Sequence, residues 1–491
     1  MPRGGRMRLL VVSVMIAGVL AIPAAAEATQ LSWQPCDGLA LECATVSVPL
    51  DYRKPAGRRI DVMVSRKKST NPAARRGVLL LNPGGPGNSG LDMPLQMAEA
   101  APRSLTDAYD LIGFDPRGTG RSAPNTCALT PDQANLSKLV PYPAANGDIR
   151  QSVEYAREVA KQCFENSGDR LPFITTANTA RDMDRIRVAL GERKISYFGT
   201  SYGSYLGAVY TTLFPAQSDR ILLDSVLDPR DLWQGAWRNW GPAIEERFGD
   251  LAAWMAGRDS TYGLGATPKA VRDKYFALAA KLDAHPVGKL TGNTFRALNR
   301  VALISDDNFP GTAQMWRALD RGETVPDIEF PIDQSMAATL WGVACNDAPS
   351  SRDVMRYQWD VLADRARNPI SNGMPSNVWP CAFWPTRRIE PQVRITDRGP
   401  GNVLLTQNMR DPSTPVSGAR AMRAALGDRA RLATVNQGGH GSYLAAGNAC
   451  VDRIGTDFLV SGVRPATDVH CGPEPRTARK EGAPHNRKGI S

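Results

Sequence analysis

Short apolar runs bounded by Gly, Pro, Asn and Asp punctuate the first 230 or so residues of the chain. The runs at 45–50 and 60–65 have strand character and flank the turn signal Lys54-Pro55-Ala56-Gly57, so they predict two strands joined by a turn. Apolar runs at 77–81 and 109–114 predict buried strands, and 194–198 and 220–223 predict two more. Between them the period changes. Helices are predicted at 151–165 and at 177–190, the second spaced by Ala180, Met183, Ile186 and Leu190, and a third at 202–214 directly after a strand. Alternation of this kind builds a parallel sheet through crossover helices.

After Asp228 the alternation stops. Residues 229–395 are Trp-rich and largely helical in period, with Pro and Gly breaks. The alternation then resumes with strands at 402–406 and 430–436 and helices at 417–426 and 446–459. The expectation is an α/β core made of 27–228 and 396–471, interrupted by a mainly helical lid over 229–395, with a mobile polar tail over 472–491. A length of 491 residues exceeds what one compact core usually holds, which suits a core with a large insertion.

Composition narrows the class. Hydrophobic content of 42% and charged content of 22% are those of a soluble globular enzyme. Arg3, Arg6 and Arg8 precede an apolar stretch over 9–22 and then Pro23-Ala24-Ala25-Ala26, the layout of a secretory signal peptide over 1–26. That stretch is short for a membrane span, so export without membrane insertion is expected. The formal charge of +10 is concentrated at the two ends, and the body between them mixes both signs. With no basic helix and no aromatic-basic stripe, nucleic acid is not an expected partner.

Eight cysteines follow the leader, and an even number in an exported chain points to disulfides. The simplest pairing joins sequence neighbours: Cys36–Cys43, Cys127–Cys163, Cys345–Cys381 and Cys450–Cys471. Connectivity is not provable from sequence. The alternative, a zinc site, lacks any CxxC pair and has only four histidines to draw on.

The chemistry gathers around Ser201. Gly199-Thr200-Ser201-Tyr202-Gly203 lies between a predicted strand and a predicted helix, where a sharp turn with small flanking residues exposes a serine Oγ. Among 44 glycines the pentapeptide alone says little; its position says more. The backbone N–H of Tyr202 would be one oxyanion donor, and the loop Asn82-Pro83-Gly84-Gly85-Pro86-Gly87 would supply the second, from Gly85. Of the four histidines, His440 in Gln437-Gly438-Gly439-His440-Gly441 follows the last core strand. Asp411 follows the strand before it, so the order Ser201, Asp411, His440 is that of α/β-hydrolases. Asp224 and Asp228 are fallback acids, and Asp397 sits at the wrong end of its strand.

Longer motifs carry a resemblance. "CATVSVPLDYRKP" (43–55), "LLLNPGGPGNSG" (79–90), "LIGFDPRGTGRS" (111–122), "YFGTSYGSYLG" (197–207), "RDPSTP" and "GGHG" together resemble the secreted tripeptidyl aminopeptidases of actinobacteria, relatives of proline iminopeptidases, over about 33–471. One departure is plain: proline iminopeptidases have His-Gly-Gly-Pro-Gly where this chain has Asn82-Pro83 ahead of its glycines, which favours the tripeptidyl branch.

The resemblance implies a secreted serine exopeptidase that releases short peptides, tripeptides in particular, from free N-termini through an acyl-enzyme, with no cofactor or metal. Peptides with a free N-terminus are the expected partners. A free α-amino group needs an anionic contact, for which Asp347, Glu245 and Glu246 of the lid are the candidates. Trp233, Trp237, Trp240 and Trp341 are candidates for an apolar pocket. Two rivals stand beside this reading: a carboxylesterase or lipase with the same triad, and a catalytically silent hydrolase-fold binding module.

Overall fold

The computed structural model describes residue 1 and residues 31–326, 332–445 and 447–474. The expected signal peptide therefore lies outside the described residues, as does the expected tail from 475 onward.

Ten strands form one sheet: β1 (Gln34–Pro35), β2 (Glu42–Pro49), β3 (Arg59–Lys67), β4 (Gly77–Asn82), β5 (Tyr109–Phe114), β6 (Ile195–Thr200), β7 (Ser218–Asp224), β8 (Val403–Arg410), β9 (Ala430–Gly438) and β10 (Val469–Cys471). Their order across the sheet is β1-β2-β3-β5-β4-β6-β7-β8-β9-β10. Every pairing from β5 to β10 is parallel, while β3 runs against both neighbours. The eight strands expected from apolar runs all form. β1 and β10 are too short to leave a pattern, with two and three residues.

This is the α/β-hydrolase arrangement. Chain order reverses at β4, which pairs with β5 on one side and β6 on the other. In an open parallel sheet a ligand crevice forms outside the carboxyl ends of strands at such a switch point. The glycine loop after β4 and Ser201 after β6 both lie there.

Buried charges brace this edge. Arg117, fully buried, donates to both oxygens of Asp182 (2.7 and 2.6 Å) and to the carbonyls of Pro49 and Leu50. Asp115 accepts from the N–H groups of Gly90 (3.1 Å) and Arg121 (2.8 Å). The Asp115-Pro116-Arg117 motif thus ties the loops around the crevice to one another.

The region after Asp228 is helical up to Arg367, and 368–402 is largely irregular apart from two 3₁₀ turns. It has two attachments. Helices Trp240–Ala256, Pro268–Ala284, Gly292–Ala302 and Phe309–Arg321 close a core of their own around Phe248, Tyr275, Phe295 and Trp316, joined by Leu136, Val140 and Tyr142 from far upstream. Helix Gln334–Asp347 and Trp379 instead pack into the main core with the sheet. Four disulfides are present, Cys36–Cys43, Cys127–Cys163, Cys345–Cys381 and Cys450–Cys471, and no cysteine is free. The pairing of sequence neighbours holds throughout. Among the described residues no helix is long and apolar enough to cross a membrane.

Candidate active site

Ser201 occupies the turn between β6 and helix Tyr202–Leu213 with φ 61° and ψ −126°, a backbone conformation that costs a non-glycine residue about 1–3 kcal/mol. The neighbours explain how it is held. Ser201 N–H donates to the Asp224 carbonyl (3.0 Å), and its own carbonyl accepts from Ser204 Oγ (2.6 Å). A Cβ on Gly199 would stand 2.4 Å from the Gly203 carbonyl, and one on Gly203 would stand 2.8 Å from the Asn82 carbonyl. The glycine spacing of the motif is therefore steric. It lets β6, the helix and the β4 loop meet around one serine.

The β4 loop comes closer still. Gly84 has φ +93°, and a Cβ there would lie 2.5 Å from the Thr200 carbonyl and 2.9 Å from Ser201 Cβ. Asn82, fully buried, folds the loop by accepting the Gly84 N–H at Oδ1 (3.0 Å). Gly85 follows and lines the cleft together with Ser201 and Tyr202. Tyr202 opens its helix, so its N–H has no intrahelical acceptor.

Asp411 follows β8 and His440 follows β9. His440 Nδ1 lies 2.8 and 3.0 Å from the two carboxylate oxygens of Asp411. Asp411 also accepts from Ser413 N–H (2.8 Å), Thr414 N–H (2.9 Å) and Thr414 Oγ1 (2.9 Å). Burial alone would raise its pKa; the adjacent His440 and these donors outweigh that and hold the carboxyl below its ordinary value. An ionised Asp411 fixes the proton on Nδ1. Nε2 is left as a buried lone pair with no partner among the described residues.

The histidine loop is clamped from several sides. Asn408 Nδ2 donates to the carbonyls of Gly439 (3.0 Å) and Gly441 (2.9 Å). Asp224 accepts from Thr406 Oγ1 (2.7 Å), from Ser442 Oγ and from the N–H groups of Ser442 and Tyr443. It thus holds the residues just after His440 and is not engaged with the ring. Asp228 pairs with Arg230 (2.6 Å), and Asp397 lies against Gly427 at the opposite end of β9. From the lid, the Ile304 carbonyl accepts His440 N–H (2.8 Å).

The cleft over Ser201 has an empty volume of about 700 Å³, its open mouth included. One wall is aromatic: Trp237 and Trp379 stack at 4.0 Å and 19°, and Trp233 lies beside Tyr202 at 5.7 Å. Trp233, Trp237 and Trp240 line the cleft, but Trp341 does not. It is fully buried and meets Tyr155 edge-on instead. Trp379, Arg300 and Met336 line the cleft without having been singled out from sequence. For Trp379 a signal existed: it stands two residues from Cys381, whose bridge to Cys345 ties it to helix Gln334–Asp347.

The three lid carboxylates proposed to meet an amino group are elsewhere. Asp347 accepts from Thr176 N–H (2.9 Å) and Thr176 Oγ1 (2.5 Å), and Thr176 Oγ1 in turn touches Tyr202 Oη (2.8 Å). It borders a separate small cavity with Glu390 and Gln392, and burial pushes its pKa up to about 7. Glu245 accepts the Ile370 N–H (2.6 Å) and pairs with Arg272 (2.8 Å), while Glu246 is exposed. None of the three lines the cleft over Ser201, and none of its described lining residues is a carboxylate. Among the described residues no three His, Cys, Asp or Glu side chains gather as metal ligands.

Comparison with known proteins adds an independent line. A family model described as TAP-like protein matches residues 367–471. A tripeptidyl aminopeptidase from Streptomyces lividans is 36% identical, covering 92% of this chain and 88% of the relative. Serine protease Hip1 of Mycobacterium tuberculosis is 26% identical over 90% of this chain and 91% of its own. Carboxylesterase B of Mycobacterium tuberculosis is 30% identical over 91% of both.

Proposed function

Since the chain belongs to the tripeptidyl aminopeptidase family of α/β-hydrolase serine enzymes, we propose that Ser201 is the nucleophile, His440 the general base and Asp411 the acid that orients it. The observation that carries this reading is the Asp411–His440 pair, with Nδ1 held by a carboxylate and Nε2 left open. His440 takes the Ser201 proton at Nε2 as Oγ attacks the scissile carbonyl, then delivers it to the leaving amine. The imidazolium formed between these steps is stabilised by Asp411 across 2.8 Å. Charge that develops on the carbonyl oxygen is met by the N–H groups of Tyr202 and Gly85, a pair worth about 3–4 kcal/mol per donor in comparable sites. Water then releases the acyl group by the reverse relay.

The substrate is a peptide with a free N-terminus, cut after a short N-terminal segment. The cleft lies between the glycine loop with Ser201 and the aromatic residues Trp233, Trp237, Trp240 and Trp379, a setting for one end of a peptide. With the expected leader and four disulfides, the enzyme works outside the cytoplasm. A second reading, carboxylester hydrolysis, is favoured by one observation: the lining is mostly apolar and, among its described residues, offers no carboxylate for an amine.

One comparison separates them. Tripeptide anilides with free and with acetylated N-termini are assayed beside aryl esters, with Ser201→Ala as control. Cleavage of the free-amine anilides well above the blocked ones supports the exopeptidase. Equal cleavage of both, or turnover of esters alone, removes it. Full activity in Ser201→Ala would overturn the nucleophile assignment itself.

A further inference from the structure

Helix Gly292–Ala302 carries two arginines one turn apart, and they have opposite surroundings. Arg296 forms a bidentate pair with Asp283 at 2.8 and 2.7 Å. Arg300 lines the cleft over Ser201, is only 6% exposed, and forms no ion pair among the described residues. Its Nε is buried without a hydrogen-bond partner. The guanidinium carbon lies 4.3 Å from the centroid of the Trp240 ring, so the cation rests on an aromatic face. Asp411 acts on it through charge alone: that carboxylate makes no hydrogen bond to Arg300 and is engaged by His440, Ser413 and Thr414.

A guanidinium stays charged in a protein, and a buried charge without a partner is costly. The ring face offsets part of that cost. Burial accordingly holds the Arg300 pKa below its ordinary value, opposed by Tyr142 and Asp411. Among the described residues no carboxylate lines the cleft, and an anion carried by the ligand would relieve the rest. The planar fork of a guanidinium matches a carboxylate with two parallel hydrogen bonds. We propose that Arg300 is a carboxylate-recognition point in the substrate cleft, so that the enzyme favours peptides carrying a carboxylate close to the scissile bond. That carboxylate is either an acidic side chain in the released segment or the α-carboxylate of a short leaving fragment. The inference rests on the reading of the Ser201 cleft as the peptide site.

Two substrate sets distinguish the sources. The first is tripeptide anilides with Asp against Asn and Glu against Gln at each position. The second is tetra- and pentapeptides with free against amidated C-termini. In one of the sets the wild-type enzyme should favour the carboxylate member about 10- to 100-fold in kcat/KM. Arg300→Met should bring that ratio to within about twofold of unity, and Arg300→Lys, which keeps charge without the fork, to an intermediate value. A wild-type ratio near unity in both sets overturns the proposal, as does an unchanged ratio in Arg300→Met. Should Arg300→Met fail to fold, as judged by thermal melting, an unchanged ratio in Arg300→Lys overturns it. If no peptide is cleaved at all, the peptidase reading falls separately. Calorimetry of Ser201→Ala with the same acid and amide pairs then tests Arg300 alone, and equal affinities would refute it.

Discussion

The two walls of the cleft are built from different forces. On the sheet side, positions are set by directional hydrogen bonds: besides His440, the N–H groups of Ser413 and Thr414, Thr414 Oγ1 and Gln407 Nε2 converge on Asp411, and Asn408 brackets His440 through two carbonyls. On the lid side, Trp237 and Trp379 stack and Trp233 leans on Tyr202, contacts that are strong in area but weak in direction. Acyl transfer tolerates little misplacement of the reacting atoms, whereas recognition of a peptide end tolerates an adaptable apolar surface. Two buried aspartates make the same contrast. Asp411 is held below its ordinary pKa by a histidine and several donors, while burial pushes Asp347, which accepts twice from Thr176, up to about 7.

The largest effect expected on the sheet side is Asp411→Asn. The amide can no longer hold the Nδ1–H tautomer, and kcat for a tripeptide anilide should fall by about 10⁴-fold. A loss under tenfold would mean that another acid orients His440 and that the directional wall is not what sets the rate. Gly84→Ala comes next. Its Cβ would stand 2.5 Å from the Thr200 carbonyl at φ +93°, forcing the glycine loop away from Ser201. Stopped assays should show kcat reduced by roughly 10²–10³-fold, the scale of a lost oxyanion donor. Unchanged kcat would show that this wall is as adaptable as the other.

The smallest effect belongs to Asp347. Its folded pKa of about 7 exceeds the unfolded value of 3.8, so the folded chain binds this proton more tightly and loses stability as pH rises between those values. Asp347→Asn should flatten that loss and melt higher than wild type at pH 8, by about 2 °C or more. Parallel melting curves for the two proteins from pH 4 to pH 8 would place the titration elsewhere. The Asp411 contribution has the opposite sign: it is present above the unfolded carboxylate range and fades as pH falls below it.

Much of the edge around Ser201 was legible along the chain because its signals are local. A strand, a Gly-x-Ser-x-Gly turn and a helix are contiguous at Ser201, and the reason for the glycines is contact among residues a few positions apart, such as Gly199 with Gly203. Asp411 and His440 were readable from chain order, since each follows a strand of recognisable pattern. Neighbouring cysteines paired as their spacing suggested. The lid was another matter. Helical period marks which face of a helix is buried, not what it is buried against, so Trp341 and Trp237 looked alike. The structure puts Trp341 in the core beside Tyr155 and Trp237 in the cleft wall.

The sequence by itself thus determined the sheet, its crossover helices and the order of Ser201, Asp411 and His440, because hydrophobic period and turn chemistry act over a few residues. Tertiary structure alone decided that Leu136, Val140 and Tyr142 complete the lid core, and that Asp347 lies behind Thr176 and outside the cleft lining. It also decided that Arg300 lines Ser201's cleft with its Nε buried and without a hydrogen-bond partner among the described residues. Each of these depends on helices far apart in the chain packing side by side, and no local pattern encodes which charge is left unpaired when they do.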